Sequence, residues 1–179
     1  MSSVTQSLSI PGLIKIVPKR FSDSRGYFVE LWSHQALRAI GIAEPFVQDN
    51  QSLSHRRGTL RGLHLQREPM AQAKLIRVYQ GAIFDIAVDL RTDSPTYGQW
   101  CGVRLDAAGG EQLFIPRGFA HGFVSLEQET LVGYLVDAPY SPEHETGIRW
   151  NDPNLAIDWP VPSCELVMSE RDASLPFLK

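Results

Sequence analysis

From residue 75 onward the chain breaks into short apolar runs, each ended by glycine, proline or a polar group. The runs at 75–79, 82–90, 100–105, 111–115, 122–126 and 130–136 each fit a β-strand. The 14 Gly and 12 Pro are scattered along the chain, as in many short strands joined by turns. Strands at this spacing predict an all-β chain, an antiparallel sandwich or barrel. No fixed-period repeat and no low-complexity linker divides it, so residues 1–179 are expected to form one domain.

The run at 82–90 alternates. Phe84, Ile86, Val88 and Leu90 share one face, and Ile83, Asp85, Ala87 and Asp89 share the other. A face with two carboxylates borders solvent or lines a polar cavity. Gln80-Gly81, between the runs at 75–79 and 82–90, is a hairpin signal. One helix is expected at 33–40, with Ser33 as its cap and Gly41 at its end. From Pro139 the chain is richer in Pro, Asp and Glu and is expected to wrap the sandwich in loops and short helices.

Net charge is −3, which argues against nucleic-acid or membrane-surface binding through a general basic field. A phosphate would have to be held by a local cluster of cations. Cys101 and Cys164 lie far apart and make no CxxC or zinc pattern, so reduced thiols are expected. Residues 1–9 lack the basic and apolar regions of a signal peptide. No apolar run approaches the roughly 20 residues of a membrane helix. A cytoplasmic protein is expected.

The residues with the most chemistry sit in glycine-punctuated β sequence. Gly58-Thr-Leu-Arg-Gly-Leu-His carries Arg61 and His64 at i and i+3, in a segment that reads as a strand entered from a turn. Pro116-Arg-Gly-Phe-Ala-His-Gly-Phe supplies His121. An imidazole titrates near neutral pH and can act as a base. Imidazoles with cations nearby suggest acid–base work on an anionic substrate.

Gly110, Pro116, Gly118 and His121 resemble, in order and spacing, the second motif of the cupin superfamily, a small jelly-roll barrel. Ser125 stands where that motif usually has Asn. The first cupin motif is half present: Gly58 and His64 are correctly spaced, but Gln66 replaces the second His and Lys74 replaces the usual Glu. A metal site needs several neutral or anionic ligands, and Lys74 would repel a divalent ion. The expectation is a cupin-type jelly roll whose metal site has become an organic acid–base site.

A closer resemblance covers about Phe21 to Asp172. Phe46-Val-Gln-Asp-Asn-Gln-Ser, Leu60-Arg-Gly-Leu-His-Leu-Gln, Ala73-Lys-Leu-Ile-Arg-Val, Phe84-Asp-Ile-Ala-Val-Asp-Leu-Arg, Ile115-Pro-Arg-Gly-Phe-Ala-His-Gly-Phe and Trp150-Asn-Asp-Pro all look like the dTDP-4-dehydrorhamnose 3,5-epimerase family. The resemblance implies inversion of the two sugar carbons that flank a ketone in a dTDP-4-keto-6-deoxy sugar. The product would be dTDP-4-keto-L-rhamnose, made with no metal and no coenzyme.

Removing a C–H beside a ketone needs a base on one face and stabilisation of the enolate oxygen. Inversion then needs a proton from the opposite face. By the resemblance His64 is the base, Asp172 its carboxylate partner, Tyr134 the proton donor and Lys74 the cation near the keto oxygen. Arg25, Arg61 and Arg171 match phosphate or substrate contacts. Gln48, Asn50, Glu30, His121 and Glu145 fall on binding positions. Phe21, Phe28 and Tyr140 are candidates for stacking or sugar contact. The resemblance also implies an N-terminal strand that crosses to a partner, so that Arg25, Phe28 and Glu30 serve the neighbour's site in a homodimer.

Read as residues alone, several of these positions stay open. His121 fits a ligand or a buttress of the site. Tyr134 fits a core aromatic, Asp172 a solvated charged run, and Phe21 and Phe28 ordinary core or interface. Asp85 and Asp89 fit a solvated strand face or groups that orient a histidine. Trp100, Trp150 and Trp159 read as packing. Leu65 and Gln51 stand where the family often has Tyr and His, and 67–72 reads as a variable loop. These departures keep an epimerase of one carbon as the alternative. A non-catalytic nucleotide-sugar-binding cupin and a metal-dependent cupin are the alternatives of other classes.

Overall fold

The computed structural model describes residues 3–178. In chain order its elements are β1 (Val4–Ser7), β2 (Ile14–Val17), β3 (Arg20–Asp23), β4 (Gly26–Val29), α1 (His34–Ala39), β5 (Gln48–Ser54), β6 (Leu60–Gln66) and β7 (Lys74–Gln80). There follow β8 (Ala82–Asp89), β9 (Trp100–Asp106), β10 (Gln112–Ile115), β11 (Phe119–Ser125), β12 (Thr130–Val136), β13 (Glu145–Gly147) and α2 (Glu170–Ala173). Among the described residues no helix is long and apolar enough to cross a membrane.

The strands make two main antiparallel sheets. One has six strands in the order β1-β2-β10-β7-β12-β5, and the other has five, in the order β13-β6-β11-β8-β9. A separate hairpin, β3–β4, pairs with neither. The fold is therefore the expected all-β jelly roll, in its open two-sheet form rather than as a closed barrel.

The main core lies between the sheets. Ile76 and Val78 of β7, Leu113 and Ile115 of β10 and Val132 of β12 meet Ile83 and Ala87 of β8, Leu105 of β9, and Phe119 and Phe123 of β11. Full burial of one such side chain stabilises by about 1.5–3 kcal/mol. The outer face of the five-stranded sheet is covered as well. Ile86 and Val88 of β8 pack with Ala120, Leu63, Ile148 and Leu155, flanked by Trp100 and Trp159. The chain after Pro139 supplies that cover, as its composition suggested. Trp100 and Trp159 donate to the carbonyls of Leu155 and Trp150, in keeping with a packing role.

The structure corrects the sequence reading in three places. Gln80-Gly81 is no hairpin: β7 and β8 leave it for opposite sheets, β7 to pair with β10 and β12, β8 with β9 and β11. A glycine turn says that the chain bends, not which strand it will meet. Gly81 is needed for the bend itself, since it has φ +75° and a Cβ there would lie 2.5 Å from Thr130 Oγ1. Strand β11 begins at Phe119, three residues before the run first read, because His121 is an inward polar residue that interrupts the apolar pattern. Strand β5 was not anticipated, since its inward positions Gln48, Asn50 and Ser52 are polar.

Helix α1 forms where expected. Ser33 accepts from Ala36 N, and the Gly41 N–H closes the end on Arg38 O. Asp85 and Asp89 are both fully buried, which removes the solvated reading of that face.

Candidate active site

Where the core gives out, the same inward faces turn polar. Lys74 precedes Ile76 and Val78 on β7, and Tyr134 follows Val132 on β12. From the opposite sheet, His64 on β6 stands directly across from His121 on β11. Between the sheets lies a cavity of two joined lobes that share His64, Lys74 and Tyr134. One lobe, of about 290 Å³, is lined also by Ser52, Arg61, His121, Phe123, Arg171 and Asp172. The other, of about 270 Å³, is lined also by Gln48, Asn50, Gln66, Tyr140 and Glu145.

Arg61 and His64 reach the same cavity only because β6 is irregular. In a regular strand, residues three apart point to opposite faces. Here Arg61 pairs with Phe123 and His64 with His121, so three steps on β6 match two on β11. The extra residue is a bulge that re-aims one side chain. Gly62 sits at this point with φ +119°, and a Cβ would lie 2.6 Å from Gly122 Cα. Glycine at both positions lets the strands close over the bulge.

His64 Nε2 is bonded to Asp172 Oδ1 at 2.7 Å. Asp172 is held in place by its helix: Ser169 caps α2 by accepting from Asp172 N at 3.1 Å, and Gly62 N donates to Asp172 Oδ2 at 3.4 Å. Burial alone would raise the Asp172 carboxyl, but the bond to His64 and the charge beside it hold it below the usual range. Asp172 accepts through one nitrogen and leaves Nδ1 as the nitrogen able to take a proton.

Lys74 lies inside the protein. Burial pushes its ammonium down to about 8, against the pull of Asp85 and Glu145. Burial raises the Tyr134 phenol, so Tyr134 is a neutral acid at neutral pH. Burial lowers His121, although Asp85 beside it pulls the other way, and the charges of Lys74 and His64 lower it further. At the mouth, Glu145 Oε2 accepts from Tyr140 Oη at 2.6 Å and pairs with an Arg171 nitrogen at 2.5 Å. Burial opposes those bonds, but together they keep Glu145 ionised.

The cupin metal positions are otherwise occupied. His64 and His121 each spend Nε2 on an aspartate. The Gln66 amide nitrogen donates to the carbonyls of Met70 and Pro139, and its oxygen accepts from Ser141 N, so it ties two loops together. Among the described residues, no group of three or more His, Cys, Asp or Glu is placed to hold a metal ion.

The family model for dTDP-4-dehydrorhamnose 3,5-epimerase matches residues 7–179. The chain belongs to this family. A dTDP-4-dehydrorhamnose 3,5-epimerase of Sinorhizobium fredii is 49% identical over 173 residues, covering 97% of this chain and 88% of the relative. Among solved structures, the dTDP-4-dehydrorhamnose 3,5-epimerase of Bacillus anthracis, with TDP and PPi bound, superposes with a TM-score of 0.96 at 46% identity and covers 99% of this chain and 100% of that one. A 3,5-epimerase of Legionella pneumophila in complex with dTDP-4-keto-L-rhamnose gives a TM-score of 0.93 at 41% identity, covering 98% of this chain and 93% of that one.

The cavity gathers most of the residues singled out from the sequence of this epimerase-family chain. His64, Lys74, Tyr134, Asp172, Arg61, His121 and Arg171 line one lobe or both, and Gln48, Asn50, Tyr140 and Glu145 line the second. Arg25, Glu30, Phe21 and Phe28 are not brought there by their own chain. Arg25 turns back on Asp23 at 2.6 Å at the tip of the β3–β4 hairpin, Phe21 and Phe28 are exposed on its strands, and Glu30 accepts from Ser33 Oγ beside α1. The hairpin belongs to neither main sheet, so nothing in its pairing draws it toward the cavity. The sequence reading missed Ser52, Phe123 and Ser169. Continuing the alternation of Gln48 and Asn50 would have found Ser52, and helix capping would have found Ser169.

Proposed function

We propose that this chain is a dTDP-4-dehydrorhamnose 3,5-epimerase, inverting C3 and C5 of dTDP-4-keto-6-deoxy-D-glucose. The observation that carries the reading is the position of His64 and Tyr134. His64 on the five-stranded sheet, backed by Asp172 on α2, faces a neutral phenol on the six-stranded sheet, across one cavity. A sugar lying between them has a base on one face and an acid on the other, which is the geometric condition for inversion.

In this reading His64 Nδ1 takes the proton from the carbon beside the ketone. Asp172 holds the imidazole tautomer and stabilises the imidazolium. The Lys74 ammonium stabilises the enolate oxygen. Tyr134 Oη then delivers its proton to the opposite face, and the inverted C–H is complete. Proton exchange with water resets the imidazolium and the phenolate. Every bond change involves carbon, oxygen or nitrogen and a proton, so the residues present suffice without a cofactor.

Arg61 and Arg171 flank the first lobe and suit the diphosphate, since a guanidinium can grip phosphate oxygens in pairs. Gln48, Asn50, Tyr140 and Glu145 suit the sugar and base. The reading includes a homodimer in which the N-terminal part of the chain, with the β3–β4 hairpin, crosses to its neighbour and brings Arg25, Phe28 and Glu30 to the neighbour's site. Tyr27 and Phe28, 60% and 63% exposed on that hairpin, support it. It also includes one catalytic domain over residues 1–179 and a cytoplasmic location, in keeping with the free thiols at Cys101 and Cys164.

The test is to supply the keto-sugar together with an NADPH-dependent 4-keto reductase and identify the product by NMR. The proposal predicts dTDP-L-rhamnose. A product inverted at one carbon would move the chain to the single-centre epimerases, and no inversion would overturn the reading.

A further inference from the structure

Strand β8 places a carboxylate behind the cavity to which the reaction scheme gives no task. Asp85 is fully buried, diagonal to His121 across the β8–β11 pair, where Ala87 faces His121 and Asp85 faces Phe123. Both its oxygens lie on the same donor, His121 Nε2, at 2.9 and 3.1 Å. A carboxylate removed from water with one neutral donor is costly.

Lys74 presents the complementary problem. Its ammonium is enclosed, with one hydrogen-bond acceptor among the described residues, the carbonyl of His64 at 3.4 Å. The groups around it are otherwise committed. Arg61 and Arg171 carry the same sign of charge. Asp172 is bonded to His64, and Glu145 to Arg171 and Tyr140. Tyr134 and His121 are neutral. Asp85 and Glu145 are the carboxylates whose charge draws the ammonium. Glu145 is already paired with Arg171, whereas Asp85, bonded to His121 behind the lobe that Lys74 and His121 both line, acts through the low-dielectric interior rather than by contact.

We propose that Asp85 is a positioning residue that supplies the counter-charge for the Lys74 ammonium and fixes His121 as the Nε2–H tautomer, leaving Nδ1 to accept from a hydroxyl of the bound sugar. The inference rests on the epimerase reading for its link to activity. His121 is then an acceptor for the substrate and not a second acid.

Asp85→Asn tests this. An amide oxygen can still accept from His121 Nε2 in the same volume, but the charge is gone. The pH dependence of kcat/KM is measured for both proteins, with TDP affinity and the thermal midpoint as checks on the fold. The alkaline limb is expected to move down by about one pH unit, so the ratio of activity at pH 6 to that at pH 9 rises about tenfold over wild type. A purely structural role would lower kcat equally at all pH, and that result, or an unchanged profile, would overturn the proposal. The Lys74 side-chain resonances, titrated by NMR in both proteins, give a readout that does not depend on turnover. The ammonium should lose its proton at lower pH in the variant, and equal titration would count against Asp85. If wild type fails to turn over the sugar, the epimerase reading fails, and the titration still decides the role of Asp85.

Discussion

His64 and His121 stand directly opposite each other on β6 and β11, and each gives its Nε2 to a different buried aspartate, Asp172 at 2.7 Å and Asp85 at 2.9 Å. The likeness ends at solvent. The His64 side chain is 28% exposed and that of His121 8%. Burial disfavours the charged form of His121, and of the two imidazoles His64 is the one with a path to water.

Replacing His64 should therefore remove chemistry and spare binding. His64→Ala is expected to slow exchange of the sugar protons by about 10²–10⁴-fold. Its affinity for TDP, read by calorimetry, should stay within about threefold, because Arg61 and Arg171 remain. His121→Asn should raise KM more than it lowers kcat.

In the proposed mechanism Tyr134 separates proton removal from inversion. Tyr134→Phe keeps the ring and loses the acid. Solvent deuterium should still enter the substrate with its configuration retained, through His64, while inversion at the same carbon falls about a hundredfold. NMR of recovered substrate and product distinguishes the two. Equal loss of both would show that Tyr134 is needed for removal as well.

Lys74 makes both activity and stability depend on pH. Burial brings its ammonium to about 8, while in the unfolded chain it titrates near 10.4. Between those values the unfolded chain binds the extra proton, so stability rises with pH across that window. Below pH 8 the folded state bears the full cost of the buried charge. Lys74→Met should therefore be inactive yet more stable at pH 7, by about 1–3 kcal/mol, with the gain shrinking toward pH 10. Urea unfolding at pH 7 and pH 10 checks the sign.

The sharing of sites between subunits is tested by mixing inactive proteins. Arg25→Ala and His64→Ala damage residues that, in the dimer reading, meet at the same site from different chains. Subunits exchanged between the two variants should recover about a quarter of wild-type activity, because half the dimers are mixed and each mixed dimer has one intact site. No recovery, with exchange confirmed by mass, would mean that Arg25 serves its own chain.

Much of this was legible in the residues, and the exceptions share a cause. Apolar alternation located β7, β8, β9, β10 and β12 because those strands bury carbon. It missed β5 and the start of β11, where the inward positions are Gln48, Asn50, Ser52 and His121, the groups that line the cavity. Strand segments whose inward positions are all polar are thus the hardest to see by hydrophobic period, while β7 and β12, which add one site residue each to an apolar face, are visible. The pairing of Arg61 with His64 on one face needed a bulge that alternation does not predict. The mistaken hairpin at Gly81 shows the same limit, since partner choice belongs to the whole sheet. The resemblance to the epimerase family carried the rest: it singled out His64, Lys74, Tyr134 and Asp172, which line one cavity although 108 positions separate His64 from its carboxylate.

The most direct test of the central claim is to incubate the EDTA-treated protein with dTDP-4-keto-6-deoxy-D-glucose in deuterated water and follow the sugar protons by NMR. The account predicts deuterium at both C3 and C5, with the rate unaffected by the chelator. A folded protein that exchanges neither position, or one whose exchange stops with EDTA and returns with a divalent metal, would contradict it.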